Sequence, residues 1–256
     1  MQNSSPTLPA ALREWWRDHR EREGLLPALR TLGVELWGFL RDSTPQRERS
    51  RYGDVEYDWD RQVNTTSAAV GWRNRLLGVL HSPYQPTEPA LFREMVDSLG
   101  IEASRYTFLD LGSGKGRTLL MASEYAFRRV LGVELLPELN QIAQDNIREF
   151  KSEPRKCGKV ESVCQDARVF EFPDESLLIY LFNPFLESGL AQVVRNLELS
   201  LRKSPRPVIV LYHNPLFANV LDTSSVLKKT DGTHQYSVYR NGSATRIAPN
   251  VSQALP

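Results

Sequence analysis

Cysteine is nearly absent from this chain: Cys157 and Cys164 are the only two in 256 residues. That is too few for a disulfide framework, and it reads as a reduced, cytoplasmic protein. Histidine is scarce too. His19, His81, His213 and His234 have no metal-ligand spacing with the cysteines, so no metal is implied. Neither sign of charge dominates, with 32 Lys+Arg against 31 Asp+Glu. Without a global basic field, composition gives no clear nucleic-acid signal and no attraction to a membrane surface. The stretch "LGVELWGFL" is too short to span a bilayer and carries Glu35. "MQNSSPTLPAALREWWRDHR" has no apolar core of the kind a secretory leader needs, so none is expected. There is no internal repeat.

What is present is ordinary globular material. Hydrophobic residues make up 41% and charged residues 25%, enough for one large domain, or a domain with an appendage, around a proper core. Residues 9–42 have helical spacing, with Trp15, Trp16, Leu29, Leu32 and Leu36 among the apolar positions, and Gly24 and Pro27 divide them into two helices. Residues 43–66 are polar and aromatic without a period and read as a loop. A short helix is expected near 67–80. In "TEPALFREMVDSLG", Thr87 is the expected N-cap of a helix that ends at Gly100.

From there strand and helix signals alternate. Strands are expected near 106–111, 129–134, 159–164, 177–182 and 207–212, and helices near 116–126, 137–151 and 187–202. This alternation predicts a doubly wound α/β sheet. "SVLKKT" and "HQYSVYR" form a closing antiparallel hairpin joined through Asp231-Gly232, and 246–256 form a loose tail.

The chemistry concentrates in "YTFLDLGSGKGRTLLMASEYA", a strand, a glycine turn and a helix. A phosphate-binding P-loop would need glycine at 109 and Ser or Thr at 116. Leu109 and Gly116 exclude it. The dinucleotide fingerprint would need a third glycine at 117, where Arg117 stands. What remains is D-x-G-x-G-x-G from Asp110 through Gly112, Gly114 and Gly116. An acid ahead of the glycines suits a cationic ligand and would oppose a pyrophosphate. The next strand ends in Glu134, placed to accept two ribose hydroxyls, and "VESVCQDARVF" places Asp166-Ala167 after the third strand.

These motifs resemble motif I and the following strands of the class I S-adenosylmethionine-dependent methyltransferases, over roughly residues 84–215. The order "YQPTEPALFREMVD", "DLGSGKG", "LGVE" resembles Dot1-like and related lysine methyltransferases. The resemblance implies a Rossmann-like methyltransferase sheet and S-adenosyl-L-methionine as cofactor, with S-adenosyl-L-homocysteine as product. It implies cofactor contacts from Tyr84, Thr87, Asp110, Gly112, Ser113, Gly114, Gly116, Glu134, Asp166 and Ala167. In it Asp166 takes the adenine amino group and the Ala167 N–H the ring. A plain structural role for Thr87, as a helix cap, competes with the cofactor role.

After the fourth strand stands Asn183-Pro184-Phe185, which resembles the N-P-P-[YF] element of methyltransferases acting on nitrogen. The Asn183 side-chain oxygen and the Asn183 or Pro184 carbonyl can accept the N–H bonds of a neutral amine and orient its lone pair. Pro184 stiffens the turn, and the Phe185 ring can face positive charge growing on nitrogen. A second Asn-Pro, Asn214-Pro215, follows the fifth strand, so strand order singles out Asn183. His213 is read as a strand-end residue outside the site.

The expected organisation is a helical cap over 1–83, a methyltransferase domain over 84–245 and a tail over 246–256. The expected reaction is methyl transfer to an amine on a protein, such as a lysine, or on a small molecule. A small-molecule N- or O-methyltransferase and a non-catalytic S-adenosylmethionine-binding protein stay open as alternatives.

Overall fold

The computed structural model describes residues 8–42, 55–65, 86–150 and 156–245. The expected helix near 67–80, the tail over 246–256 and Tyr84 lie outside the described residues. Strands β1 (Thr107–Leu111), β2 (Arg129–Glu134), β3 (Val160–Cys164), β4 (Leu177–Leu181) and β5 (Val208–His213) are parallel, each within a residue or two of its expected position. The hairpin β6 (Leu227–Gly232) and β7 (Tyr236–Asn241) closes the sheet, with β7 antiparallel to β5. Asp231 and Gly232 belong to the end of β6, so the turn falls one step later than expected. The strand order is β3-β2-β1-β4-β5-β7-β6.

Buried parallel strands must be apolar on both faces. Phe108, Leu178, Tyr180, Ile209 and Leu211 point to one side. There they meet Phe92 and Met95 of α4 (Pro89–Ser98) and Leu119 and Met121 of α5 (Arg117–Ser123). Leu109, Leu111, Ile179, Leu181 and Val210 point to the other, against Leu190, Val193 and Leu197 of α7 (Glu187–Lys203). Helix α6 (Pro137–Glu149) flanks β2 and β3. The short helices α8 (Ala218–Asp222) and α9 (Gly242–Thr245) complete the chain's far edge.

Among the described residues, α4 is preceded by the helices α1 (Leu8–Glu23), α2 (Leu25–Asp42) and α3 (Val55–Arg61). Gly24 has φ +87° and is the break between α1 and α2. Pro27 sits within the first turn of α2, where its missing N–H costs nothing. Helix α3 corrects the loop expected over 43–66. Its Tyr57 is buried, with the guanidinium groups of Arg61 and Arg117 each 4.4 Å from the ring centre. Asp58 accepts from the Thr65 N–H at 2.8 Å and from its hydroxyl. One of those partners, Arg117, comes from α5, far away in sequence.

Helix α1 runs across the carboxyl ends of the strands. Trp15 is buried with Leu136, just after β2, and Leu186, just after β4. Arg22 pairs with Glu187 at 2.9 Å and lies 5.1 Å over the Phe217 ring, after β5. Among the described residues, no helix is long and apolar enough to cross a membrane.

Candidate active site

The chain winds outward from β1 to β3 and then crosses back to β4. In such a sheet the ligand crevice opens beyond the strand ends where the winding reverses, here between β1 and β4. Asp110 and the glycine turn lie on one side of that point and Asn183-Pro184-Phe185 on the other.

The turn is strained in a way glycine relieves. Gly112, Gly114 and Gly116 have φ of +86°, +55° and +81°. At Gly112 there is also no room: a Cβ would stand 2.3 Å from Pro184 Cβ. The first glycine and the proline of the second motif therefore pack directly on each other. Ser113 is buried, and its Oγ has no hydrogen-bond partner.

Two acids lie buried behind the turn. Asp110 accepts a hydrogen bond from the Thr118 hydroxyl, yet burial, aided by the nearby charge of Glu134, pushes its carboxyl up to about 7. Glu134 accepts from the Gly114 N–H and the Leu136 N–H, each at 2.8 Å, so the second strand's acid braces the glycine turn. Burial raises its pKa as well, against those two bonds. Lys115 turns away from the crevice. Its Nζ donates to Asn64 Oδ1 at 3.2 Å, and burial lowers it to about 8. The side chain that would reach a phosphate in a P-loop is here tied to the N-terminal segment.

At the end of β3, Asp166 caps a short 3-10 turn, accepting from the Arg168 N–H at 2.9 Å, and its carboxylate is gripped by the Arg168 guanidinium at 2.7 Å. Ala167 is buried beside it. Thr87 is not the helix cap that was expected. Glu88 takes that place, its carboxylate accepting from Ala90 N at 3.0 Å and Leu91 N at 2.8 Å. The longer side chain reaches both amides, and Thr87 is released inward. Its hydroxyl bonds Tyr180 Oη at 2.9 Å, which in turn bonds His213 Nδ1 at 2.8 Å. His213 stacks on Phe182 with centroids 3.9 Å apart, and burial lowers its pKa to about 4, so it stays neutral.

Asn183 adopts φ +47°, unusual outside glycine but tolerated by asparagine. Its amide group is committed within the protein: Nδ2 donates to the Asn214 carbonyl at 2.6 Å, and Oδ1 accepts from Tyr212 Oη at 2.8 Å. The side chain clasps the loops after β4 and β5. The oxygen expected to orient the acceptor accepts from Tyr212 and, at 3.4 Å, from the Leu216 N–H. Phe185 packs against the α7 side of the core, close to Gly189.

Sequence reasoning missed Thr118, Tyr180 and Tyr212. A hydroxyl early in the helix after the glycine turn was a readable signal for Thr118. The two tyrosines looked like plain strand residues.

Residues 81–176, which hold both buried acids and the glycine turn, match the family described as histone methylation protein DOT1. Over those residues, somewhat under half of its length, the chain is similar to the Dot1-like S-adenosylmethionine-dependent methyltransferases. No curated protein matches the sequence significantly. Among solved structures it is similar to an RNA methyltransferase from Salinibacter ruber in complex with S-adenosyl-L-homocysteine (20% identity, 67% of this chain and 99% of that one, TM-score 0.43). It is also similar to a TehB-like methyltransferase from Corynebacterium glutamicum (17%, 59% and 85%, TM-score 0.42). A third is a predicted N6-adenine-specific DNA methylase from Listeria monocytogenes (15%, 62% and 52%, TM-score 0.46). None of these distant likenesses names an acceptor for the methyltransferase described here.

The residues present fit S-adenosylmethionine. Burial raises the pKa of both carboxyls, and a cationic ligand would favour their ionised forms. The Ser113 hydroxyl lacks a partner, and the glycine turn leaves backbone within reach of the crevice.

Proposed function

We propose that this methyltransferase acts on the nitrogen of an amine, such as a protein lysine. The observation that supports it is the packing of Pro184 on Gly112, which sets the backbone carbonyls of the Asn-Pro element beside the cofactor turn. S-adenosylmethionine supplies an electrophilic methyl group. In this reading the buried acids Asp110 and Glu134 face its positive charge and its ribose hydroxyls. Asp166 and Ala167 border the adenine, and Ser113 offers one more hydrogen bond. The Asn183 and Pro184 carbonyls accept N–H bonds from a neutral amine and fix its lone pair, so the protein contributes proximity and orientation. Helix α1 lies over the strand ends and keeps water from them.

Calorimetry on the purified protein tests the cofactor reading. S-adenosylmethionine and S-adenosylhomocysteine should both bind, and NAD and ATP should not. Nucleotide binding with no response to either cofactor form would refute it. Incubating labelled cofactor with separate protein and small-molecule fractions then tests the acceptor class. Label only in oxygen-linked esters or ethers would refute the amine.

Asp110 adds a pH dependence. Its folded pKa of about 7 lies above the ordinary 3.8, so the native state holds a proton that the unfolded chain releases. This group's contribution to stability therefore falls as pH rises from about 4 to about 7. A cationic ligand favours the ionised form, which reverses the trend for binding. Affinity for S-adenosylmethionine should rise about tenfold from pH 6 to pH 8, if the ligand holds Asp110 ionised throughout. In Asp110→Asn the profile should be weak and flat. An unchanged slope in that variant would assign the titration to another group.

A further inference from the structure

Helix α1 carries a buried carboxyl group that nothing described so far uses. Asp18 is only 6% exposed, and its Oδ2 has no hydrogen-bond partner. A buried polar oxygen left without a partner is rare and calls for an explanation.

Its surroundings suggest one. Trp15, Asp18 and Arg22 succeed each other at helical spacing on one face of α1. Trp15 packs against Leu136 and Leu186, and Arg22 reaches Glu187 and Phe217. Asp18 lies between those anchors, on the face that covers the strand ends. Leu186 and Glu187 directly follow Asn183-Pro184-Phe185. Arg22, one turn further along the same face, pairs with Glu187 and lies over the Phe217 ring. The anchors lie after β4 and β5 at the Arg22 end, on the acceptor side of the crevice and away from the glycine turn.

We propose that Asp18 is a binding subsite for an alkylammonium group, the charged form in which an amine acceptor arrives from water. This rests on the amine reading above and deepens it. The carboxylate offsets the cost of drawing the ammonium under α1, and the cation supplies the partner that Oδ2 lacks. The helical cap thereby selects for charge.

The test uses the full chain loaded with S-adenosylhomocysteine and titrated with n-butylammonium chloride, with n-butanol as the uncharged counterpart. The wild type should bind the ammonium at least about tenfold more tightly than the alcohol, the scale of one charge-assisted hydrogen bond. Asp18→Asn should lose that preference, keep S-adenosylhomocysteine affinity within about twofold, and melt no lower than the wild type, because an orphaned charge has been removed. Absence of the preference in the wild type overturns the proposal and needs no variant. So does a preference that survives in Asp18→Asn. A drop in S-adenosylhomocysteine affinity with ammonium binding intact would give the carboxylate to the cofactor's own α-ammonium and overturn it as well. If the wild type does not bind S-adenosylhomocysteine at all, the methyltransferase reading falls and takes this one with it, a result distinct from the others.

Discussion

Gly112→Ala is expected to abolish measurable S-adenosylhomocysteine binding and to destabilise the protein by about 2–5 kcal/mol. Two costs add. An alanine at φ +86° is forced into the left-handed region, at about 1–2 kcal/mol. Its Cβ would also stand 2.3 Å from Pro184 Cβ, and a forced methyl in a tight contact costs typically about 1–3 kcal/mol. Pro184 is a ring fixed in the backbone and cannot swing aside, so the glycine turn must move, carrying the Gly114 N–H away from Glu134. Gly158→Ala is the control: nothing lies within 4 Å of its Cβ position. Denaturant melts and calorimetry on both variants decide the matter. Retained cofactor affinity in Gly112→Ala would mean that the turn and the Asn-Pro element are not mechanically coupled.

Asn183→Ala should fail in a different way. Its amide holds the Asn214 carbonyl and the Tyr212 hydroxyl, both inside the protein. Truncation strands these groups at about 1–3 kcal/mol each and removes a residue suited to φ +47°. A loss of about 2–6 kcal/mol in stability is expected. If the carbonyls of Asn183 and Pro184 orient the acceptor as proposed, the transfer rate should fall by about 10²-fold as they lose their fixed positions. Cofactor affinity should be nearly intact, since Asp110, the glycine turn and Glu134 do not rest on this side chain. Asn214→Ala is the internal comparison. Asn214 shares φ +47°, but only its backbone carbonyl enters the clasp, so its loss should be limited to a modest backbone penalty. Equal effects in the two variants would show that the Asn183 amide is not the clasp.

The sequence carried the sheet well because periodicity is local. Five apolar runs, each ended by a turn signal, were readable as buried parallel strands, and β1 to β5 lie where those runs lie. D-x-G-x-G-x-G was readable because each glycine reports a backbone need that no other residue meets at that spacing. The N-terminal elements were harder. Helix α3 has seven residues and little apolar periodicity, and its Tyr57 is held in part by Arg117, a contact no window of sequence contains. The cap at Glu88 was misassigned to Thr87 for a related reason. Both residues can cap a helix, and what decided between them was Tyr180, which takes the Thr87 hydroxyl from across the core.

By itself, then, the sequence determined the order of strands and helices, the glycine turn and the acids at the ends of β1 and β2, because dihedral limits and burial periodicity act on neighbouring residues. Tertiary structure alone decided what those residues do to one another. It put Gly112 against Pro184, turned the Asn183 amide from the crevice to the Asn214 loop, and laid α1 over the strand ends with Asp18 beneath it. Each of these is a contact between segments dozens of residues apart or more. Close packing selects such contacts through the shape of the whole core, and no local pattern records them.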